Sequence, residues 1–282
     1  MATTVTITGT GNPGPSPDRA GPGVLVRHDG LALQFDAGRA TTMRLTGLGV
    51  RPPELDALFI THHHSDHLTG LADLVLTRWI LDTHSRAGPL TIVAPAGPAA
   101  RFAGQLLDIW REDIDVRTAR HDRPRPAIDL QPFDVASVPA EVWSHRDVRV
   151  LAGQVRHEPV RPAVGYRVET PDGVVAVTGD TLVCEEVAEL AAGADVLVYE
   201  ALRVEAVLAS PFLPDHICEY HADTRLIGAQ AAELGVGSLV LTHLIPEPRT
   251  PAEIRAFADD VRAAGFTGEL LVAADLDTVN LD

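Results

Sequence analysis

Short runs of β-branched and apolar residues recur along the chain, each broken within a few positions by Gly, Pro, Asp or His, which is the signature of strands ending in turns. Ten such runs predict strands, over 3–8, 23–28, 31–36, 57–62, 90–95, 164–170, 173–180, 195–200, 238–243 and 269–275. Several close on His, Asp or Glu ("ALFITH", "GVVAVTGD", "DVLVYE", "SLVLTH"), so polar side chains collect where loops build sites on a rigid frame. Helical periodicity marks 70–84, 97–112, 184–193, 223–235 and 250–265. In the last of these, Thr250 reads as the N-cap, Pro251 as the first turn, Glu253 as the capping-box partner and Gly265 as the stop signal. Strands alternate with helices and no Gly/Ser linker divides the chain, so one α/β domain over 1–282 is expected. The Pro/Arg-rich stretch 120–132 reads as a surface loop or insert, and no internal repeat is found.

Composition narrows the classes. A chain of 282 residues with 45% hydrophobic and 22% charged residues can bury a large core and is unlike a disordered sequence. Its formal net charge of −16 repels phosphate polyanions, which disfavours nucleic acid as a partner, although metal cations reverse the potential inside a single pocket. Cys184 and Cys218 match no zinc-ligand spacing and read as free thiols. The first residues lack a basic start followed by an apolar stretch, and no apolar run approaches about 18 residues, so a soluble cytoplasmic protein with no membrane partner is expected.

Residues 61–67, "THHHSDH", hold four of the 12 histidines. If the preceding strand ends at Thr61, His62 and His64 point one way and His63 the other, while Asp66 and His67 come from the turn and the first helical residues. Imidazole nitrogen with carboxylate oxygen is the ligand set of zinc and related divalent ions, and the carboxylate leaves room for a second ion. A solvated polar turn is the competing reading.

The order His-x-His-x-Asp-His after a hydrophobic strand resembles the metallo-β-lactamase superfamily, and later segments supply its further motifs in order: His157 in "VRHEPVRPAVGYRVE", Asp180 in "VTGDT" and His243 in "LVLTHLIP". The resemblance implies a four-layer αββα sandwich of two mixed β-sheets flanked by helices. It also implies a dinuclear centre, with His62, His64 and His157 on one metal, Asp66, His67 and His243 on the other, and Asp180 bridging. Two Zn2+ are the expected cofactors, with Mn2+ or iron as alternatives, acidifying a shared water for attack.

Further segments are similar to the branch that contains tRNase Z and the zinc arylsulfatase-like proteins: "GTGNPGPSPDRAGPGVLV", "LQFDAGRATTMRL", "HEPVRPAVGYRVE", and "VLVYEA" followed by "YHADTRLIGAQAAELGV". That branch implies a dyad of Glu200 and His221 near the metals, in which His221 protonates a leaving oxygen or binds an oxyanion while Asp66 orients the attacking water. Tyr199 and Ala222 depart from its His and Ser/Thr. Only residues 158–179 separate His157 from Asp180, enough for two strands and a turn but not for a tRNA-binding arm. With the net charge, this predicts a hydrolase of small-molecule esters (sulfate, phosphodiester, carboxylic ester or lactone). The alternatives are a tRNase Z-like endonuclease acting on RNA 3′ ends and a non-hydrolytic, iron-binding redox protein. The branch also allows a homodimer. The segment 203–224 reads either as a pocket wall or lid, with Phe212, His216 and Tyr220 touching substrate, or as an ordinary surface loop. Trp79, Trp110 and Trp143 read as packing residues, and His28, His84, His121 and His145 as surface histidines.

Overall fold

The computed structural model describes residues 2–82, 87–121 and 123–281. Among the described residues, fourteen strands form two sheets of seven. In the first, β1 (Thr4–Gly9), β2 (Gly23–His28), β3 (Leu31–Phe35), β4 (Ala57–Phe59), β5 (Leu90–Pro95) and β6 (Ile128–Phe133) follow one another, and β14 (Thr278–Asn280) closes the edge beside β1. In the second, β7 (Ala140–His145), β8 (Val148–Gln154), β9 (Val164–Thr170), β10 (Gly173–Val177), β11 (Val196–Leu202), β12 (Ser238–Ile245) and β13 (Glu269–Val272) lie in chain order. Both sheets are mixed: β3 to β6 and β10 to β13 run parallel, and the remaining pairs are antiparallel.

Side chains on the facing sides of the sheets, among them Phe35, Phe59, Val150, Tyr166, Val198 and Val240, fill one core. The helices cover the outer faces. On the first sheet, α1 (Thr41–Gly47), α3 (Leu71–Leu81) and α4 (Pro98–Gln105) bury Leu45, Leu74 and Ala103 against Leu58 and Ile92, and the single-turn α2 (Ser65–Leu68) leads into α3. On the second, α6 (Glu185–Leu190), α8 (Thr224–Leu234) and α9 (Pro251–Ala263) bury Val187, Ile227, Phe257 and Val261 against Tyr199 and Leu241. Two more helices, α5 (Arg111–His121) and α7 (Val204–Leu208), lie at the periphery. The layer order is αββα. Strand β11 shows why its sequence reads as an apolar run up to Glu200: Val196 and Val198 face the inter-sheet core, and Leu197, Tyr199 and Ala201 face the helices. Helix α9 begins on the capping box its sequence announces, Glu253 N donating to Thr250 Oγ1 at 3.2 Å and Thr250 N to Glu253 Oε2 at 2.9 Å.

All ten predicted strands form, and four more lie outside the pattern. Strand β6 occupies the end of the stretch read as a loop. It pairs only with β5, so half of its residues face water and Pro132 is tolerated at an edge. Strand β7 and the three-residue β14 likewise sit at sheet edges, where burial selects few apolar positions, whereas β8 is flanked on both sides and alternates Val148, Val150 and Ala152 toward the core, a period-two signal that the sequence reading passed over. Helix α5 buries only Ile114 and shows almost no apolar stripe. Among the described residues, no helix is long and apolar enough to cross a membrane.

The C-terminal ends of β3, β4, β10, β11 and β12 open on one edge of the sandwich, and the β8–β9 connection joins them there. Hydrogen bonds tie the sheets at that edge: Val164 N donates to Thr61 O at 3.0 Å, and the Tyr166 hydroxyl to Ile60 O at 2.6 Å.

Candidate metal centre

Strand β4 stops at Phe59, so Ile60 to His64 leave the sheet as an extended segment that Asp36 holds in place. The Asp36 carboxylate is buried and accepts from Thr61 N at 2.8 Å, Thr61 Oγ1 at 2.8 Å and His67 Nδ1 at 2.7 Å. Because the Thr61 hydroxyl gives its proton to Asp36, it accepts from His62 Nδ1 at 3.0 Å. His157 Nδ1 donates in turn to Tyr220 O at 2.9 Å. In all three rings the proton is thereby fixed on Nδ1, and the Nε2 lone pair is turned inward, the arrangement a metal-ligating imidazole requires.

Those lone pairs converge. Asp180 Oδ2 lies 3.8 Å from His62 Nε2, 3.8 Å from His157 Nε2 and 3.5 Å from His243 Nε2, and Asp180 Oδ1 lies 3.3 Å from His67 Nε2. Asp66 Oδ2 is 3.3 Å from His243 Nε2 and 3.7 Å from His67 Nε2. His64 Nδ1 and His157 Nε2 approach to 3.1 Å. Donor atoms of His62, His64, His157 and Asp180 all lie within 4.8 Å of one another, as do those of Asp66, His67 and His243. His62 Nε2, His67 Nε2 and Asp180 Oδ1 are buried without a hydrogen-bond partner among the described residues. Buried polar atoms in that condition are costly unless a cation satisfies them, so the donor set fits a metal centre.

Two backbone irregularities aim these groups. Gly179 has φ 63°, and a Cβ there would stand 2.8 Å from the Thr61 side chain, so only glycine lets the chain turn Asp180 into the cluster. His243 is itself in the left-handed region at φ 47°. It is the extra residue of a bulge, because Thr242 pairs with Glu200 and Leu244 with Ala201.

Electrostatics follow the packing. Burial, then the charge of His67, holds the His62 pKa well below that of an ordinary imidazole; burial, then His157, lowers that of His64, and burial lowers that of His157. Burial opposes charge on His67 too, but Asp180 and Asp36 outweigh it and raise its pKa well above the usual value. Burial also opposes the charged forms of Asp180 and Asp66, yet His243 and His67 hold both below the carboxylate range. The cluster favours ionised Asp66 and Asp180 and the neutral forms of His62, His64 and His157, as ligands must be.

Beside it stands the dyad. Glu200 is buried at the end of β11, and its Oε1 accepts from Thr181 N at 3.0 Å, Ala222 N at 3.2 Å and His221 Nδ1 at 2.8 Å. Burial works against a charged His221, but Glu200 outweighs it and lifts the imidazole to about 9. A His221 ring nitrogen also comes within 4.8 Å of Asp180 and His243 donors. The two departures noted in the sequence are packing residues: the Tyr199 hydroxyl donates to Gln230 Oε1 at 3.1 Å under α8, and Ala222 is buried beside Glu200.

A cleft of about 790 Å³ opens next to His64, Asp180 and His221. Segment 203–224 forms part of its wall through Phe212 and Tyr220, whereas His216 lies outside its lining. His63 takes no part in the donor groups. Asp36, which orients Thr61 and His67, was passed over in the sequence reading, although the Phe-Asp-x-Gly segment carried its signal. Trp79 is buried, and its indole N–H donates to Pro124 O at 2.7 Å; Trp143 packs edge-on against Phe59, and Trp110 is partly exposed. His121 and His145 are exposed, but His28 corrects the surface reading: it is buried, with Nδ1 2.8 Å from Thr3 Oγ1 and 3.2 Å from Asp172. His84 lies outside the described residues.

Comparison with known proteins places this geometry in context. Residues 13–244 match the beta-lactamase superfamily domain. A ribonuclease Z of Mycolicibacterium paratuberculosis is 38% identical over 282 residues, covering 99% of this chain and 98% of its own. A ribonuclease Z of Mycobacterium bovis is 35% identical over 280 residues, covering 98% of each chain. Among solved structures, the metallo-beta-lactamase fold protein YhfI of Bacillus subtilis superposes with a TM-score of 0.73 at 20% identity, covering 99% of this chain and 100% of its own. The short form of human tRNase Z gives 0.71 at 20% identity, covering 99% of each.

These relatives overturn the expectation of a small-molecule ester substrate with nucleic acid disfavoured. End-to-end matches leave the ribonucleases no room for an arm-sized insertion, so the short span from His157 to Asp180 does not set this chain apart from them. The net charge of −16 is a sum over the whole surface and does not fix the potential at one cleft. Of the readings weighed from the sequence, the RNA-cleaving one is supported.

Proposed function

The chain belongs to the metallo-β-lactamase superfamily, among the metal-dependent hydrolases of its ribonuclease Z-like branch, and on that premise we propose that it cleaves a phosphodiester bond at the 3′ end of a transfer-RNA precursor. The observation that carries this reading is identity of 35–39% along essentially the whole chain to proteins of that name. We read His62, His64 and His157 as ligands of one cation, Asp66, His67 and His243 as ligands of the other, and Asp180 as the bridge, in keeping with the donor groups. Two divalent ions bound there, zinc in our reading, would polarise the phosphoryl oxygen and acidify a water for attack near neutral pH.

The chain's own groups do the rest. Asp66, held ionised by its histidine neighbours, orients the attacking water through its carboxylate. His221, with Nδ1 locked on Glu200 and a pKa of about 9, is protonated at neutral pH and gives its other proton to the departing ribose oxygen. Because the donors come from both sheets, we also read residues 1–282 as one domain. The test is a substrate panel with metal-loaded protein: precursor tRNA with a 3′ trailer beside aryl sulfates, carboxylic esters and lactones. Release of the trailer supports the reading; turnover of the small esters with the RNA left intact contradicts it.

A further inference from the structure

One aromatic ring beside the donor cluster is not explained by packing. Phe212 is 90% exposed, while its neighbours Leu213 and Ile217 are drawn into the apolar cluster of Leu202, Val207 and Ile245. The segment that carries it is held. Leu202 N donates to Ala222 O at 2.8 Å, Arg203 N to Ile245 O at 2.8 Å, and Phe212 N to Ser210 Oγ at 3.2 Å. The ring therefore stands on an anchored segment and lines the same cleft as His64, Asp180 and His221.

A phosphodiester that reaches those residues brings its flanking bases into this cleft. Every nucleobase presents a flat π-face, and an exposed aromatic ring binds it by stacking without regard to sequence. The carboxylates lining the cleft are Asp180, Glu247 and Glu253, whereas Arg249 is an exposed cation in the same lining, within electrostatic reach of Glu253. The cleft thus offers one site for a base and a separate site for a phosphate.

We propose that Phe212 is the stacking platform for a base next to the scissile phosphate, with Arg249 meeting a neighbouring phosphate. The proposal rests on the ribonuclease reading and adds the residue that grips the RNA. Phe212 touches the base and not the reacting bond, so its contribution falls on KM and leaves kcat alone.

The experiment compares the wild type, Phe212→Ala and Phe212→Trp on two precursor tRNAs, one natural and one with abasic nucleotides on either side of the cleavage site. On natural RNA, Phe212→Ala raises KM by about tenfold to a hundredfold with kcat within about twofold, and Phe212→Trp restores the wild-type KM. On abasic RNA the wild type and Phe212→Ala have the same KM. An unchanged KM for Phe212→Ala on natural RNA overturns the proposal, and so does an equal loss on both RNAs, which makes Phe212 a shaper of the loop. If the metal-loaded wild type cuts neither RNA, the ribonuclease reading fails at that earlier step and this proposal falls with it.

Discussion

At the residue scale, the proposed mechanism divides the work between Asp36, which would hold ligands in place, and His221, which would move a proton. Asp36 fixes Thr61 and His67 without belonging to any donor group, so Asp36→Asn should leave the fold intact and weaken metal affinity by about 10- to 100-fold in a zinc titration. His221 stands close enough to Asp180 and His243 to serve as a ligand, yet its bond to Glu200 favours a proton-bearing role. His221→Ala should lower kcat by about 10²- to 10⁴-fold while bound metal stays at the wild-type level; loss of metal in that variant would make it a ligand. The seven ligand candidates were legible because His and Asp at the ends of apolar runs are rare and their order is informative. Asp36 was harder to see, since a carboxylate that acts by orienting a histidine carries no ligand spacing of its own.

At the scale of elements, the site depends on where strands stop and how they bend. Strand β4 ends early, β12 bulges at His243, and Gly179 turns the chain after β10 in the left-handed region. Gly179→Ala forces a Cβ against Thr61, and we expect a loss of about 1–3 kcal/mol in denaturant unfolding together with weaker metal binding. Unchanged stability would mean that the turn adapts. Strands buried on both faces, such as β11, were plain in the sequence because the run Val196 to Tyr199 is continuously apolar or aromatic before it reaches Glu200. Strands β6, β7 and β14 were not, because sheet edges place weak demands on composition, and β8 was passed over although Val148, Val150 and Ala152 alternate toward the core. The bulge at His243 was likewise invisible, since it is set by the register between β11 and β12 and not by residue type.

For the molecule as a whole, charge and substrate pull in different directions. On the proposed reading, a chain of net charge −16 would bind RNA locally, through the cations its buried donors can hold, the exposed Arg249 and the walls of one cleft, because its overall field is repulsive. Substrate class was therefore the least legible property: fold and ligands follow from motifs, but specificity depends on loop shape and local potential. The most direct measurement is nucleotide-resolution mapping of a precursor tRNA treated with metal-loaded protein, with and without chelator. The account predicts a single cut at the 3′ boundary of the acceptor stem that disappears on chelation and returns when zinc is restored. An intact precursor, or scattered cuts that persist in chelator, would contradict it.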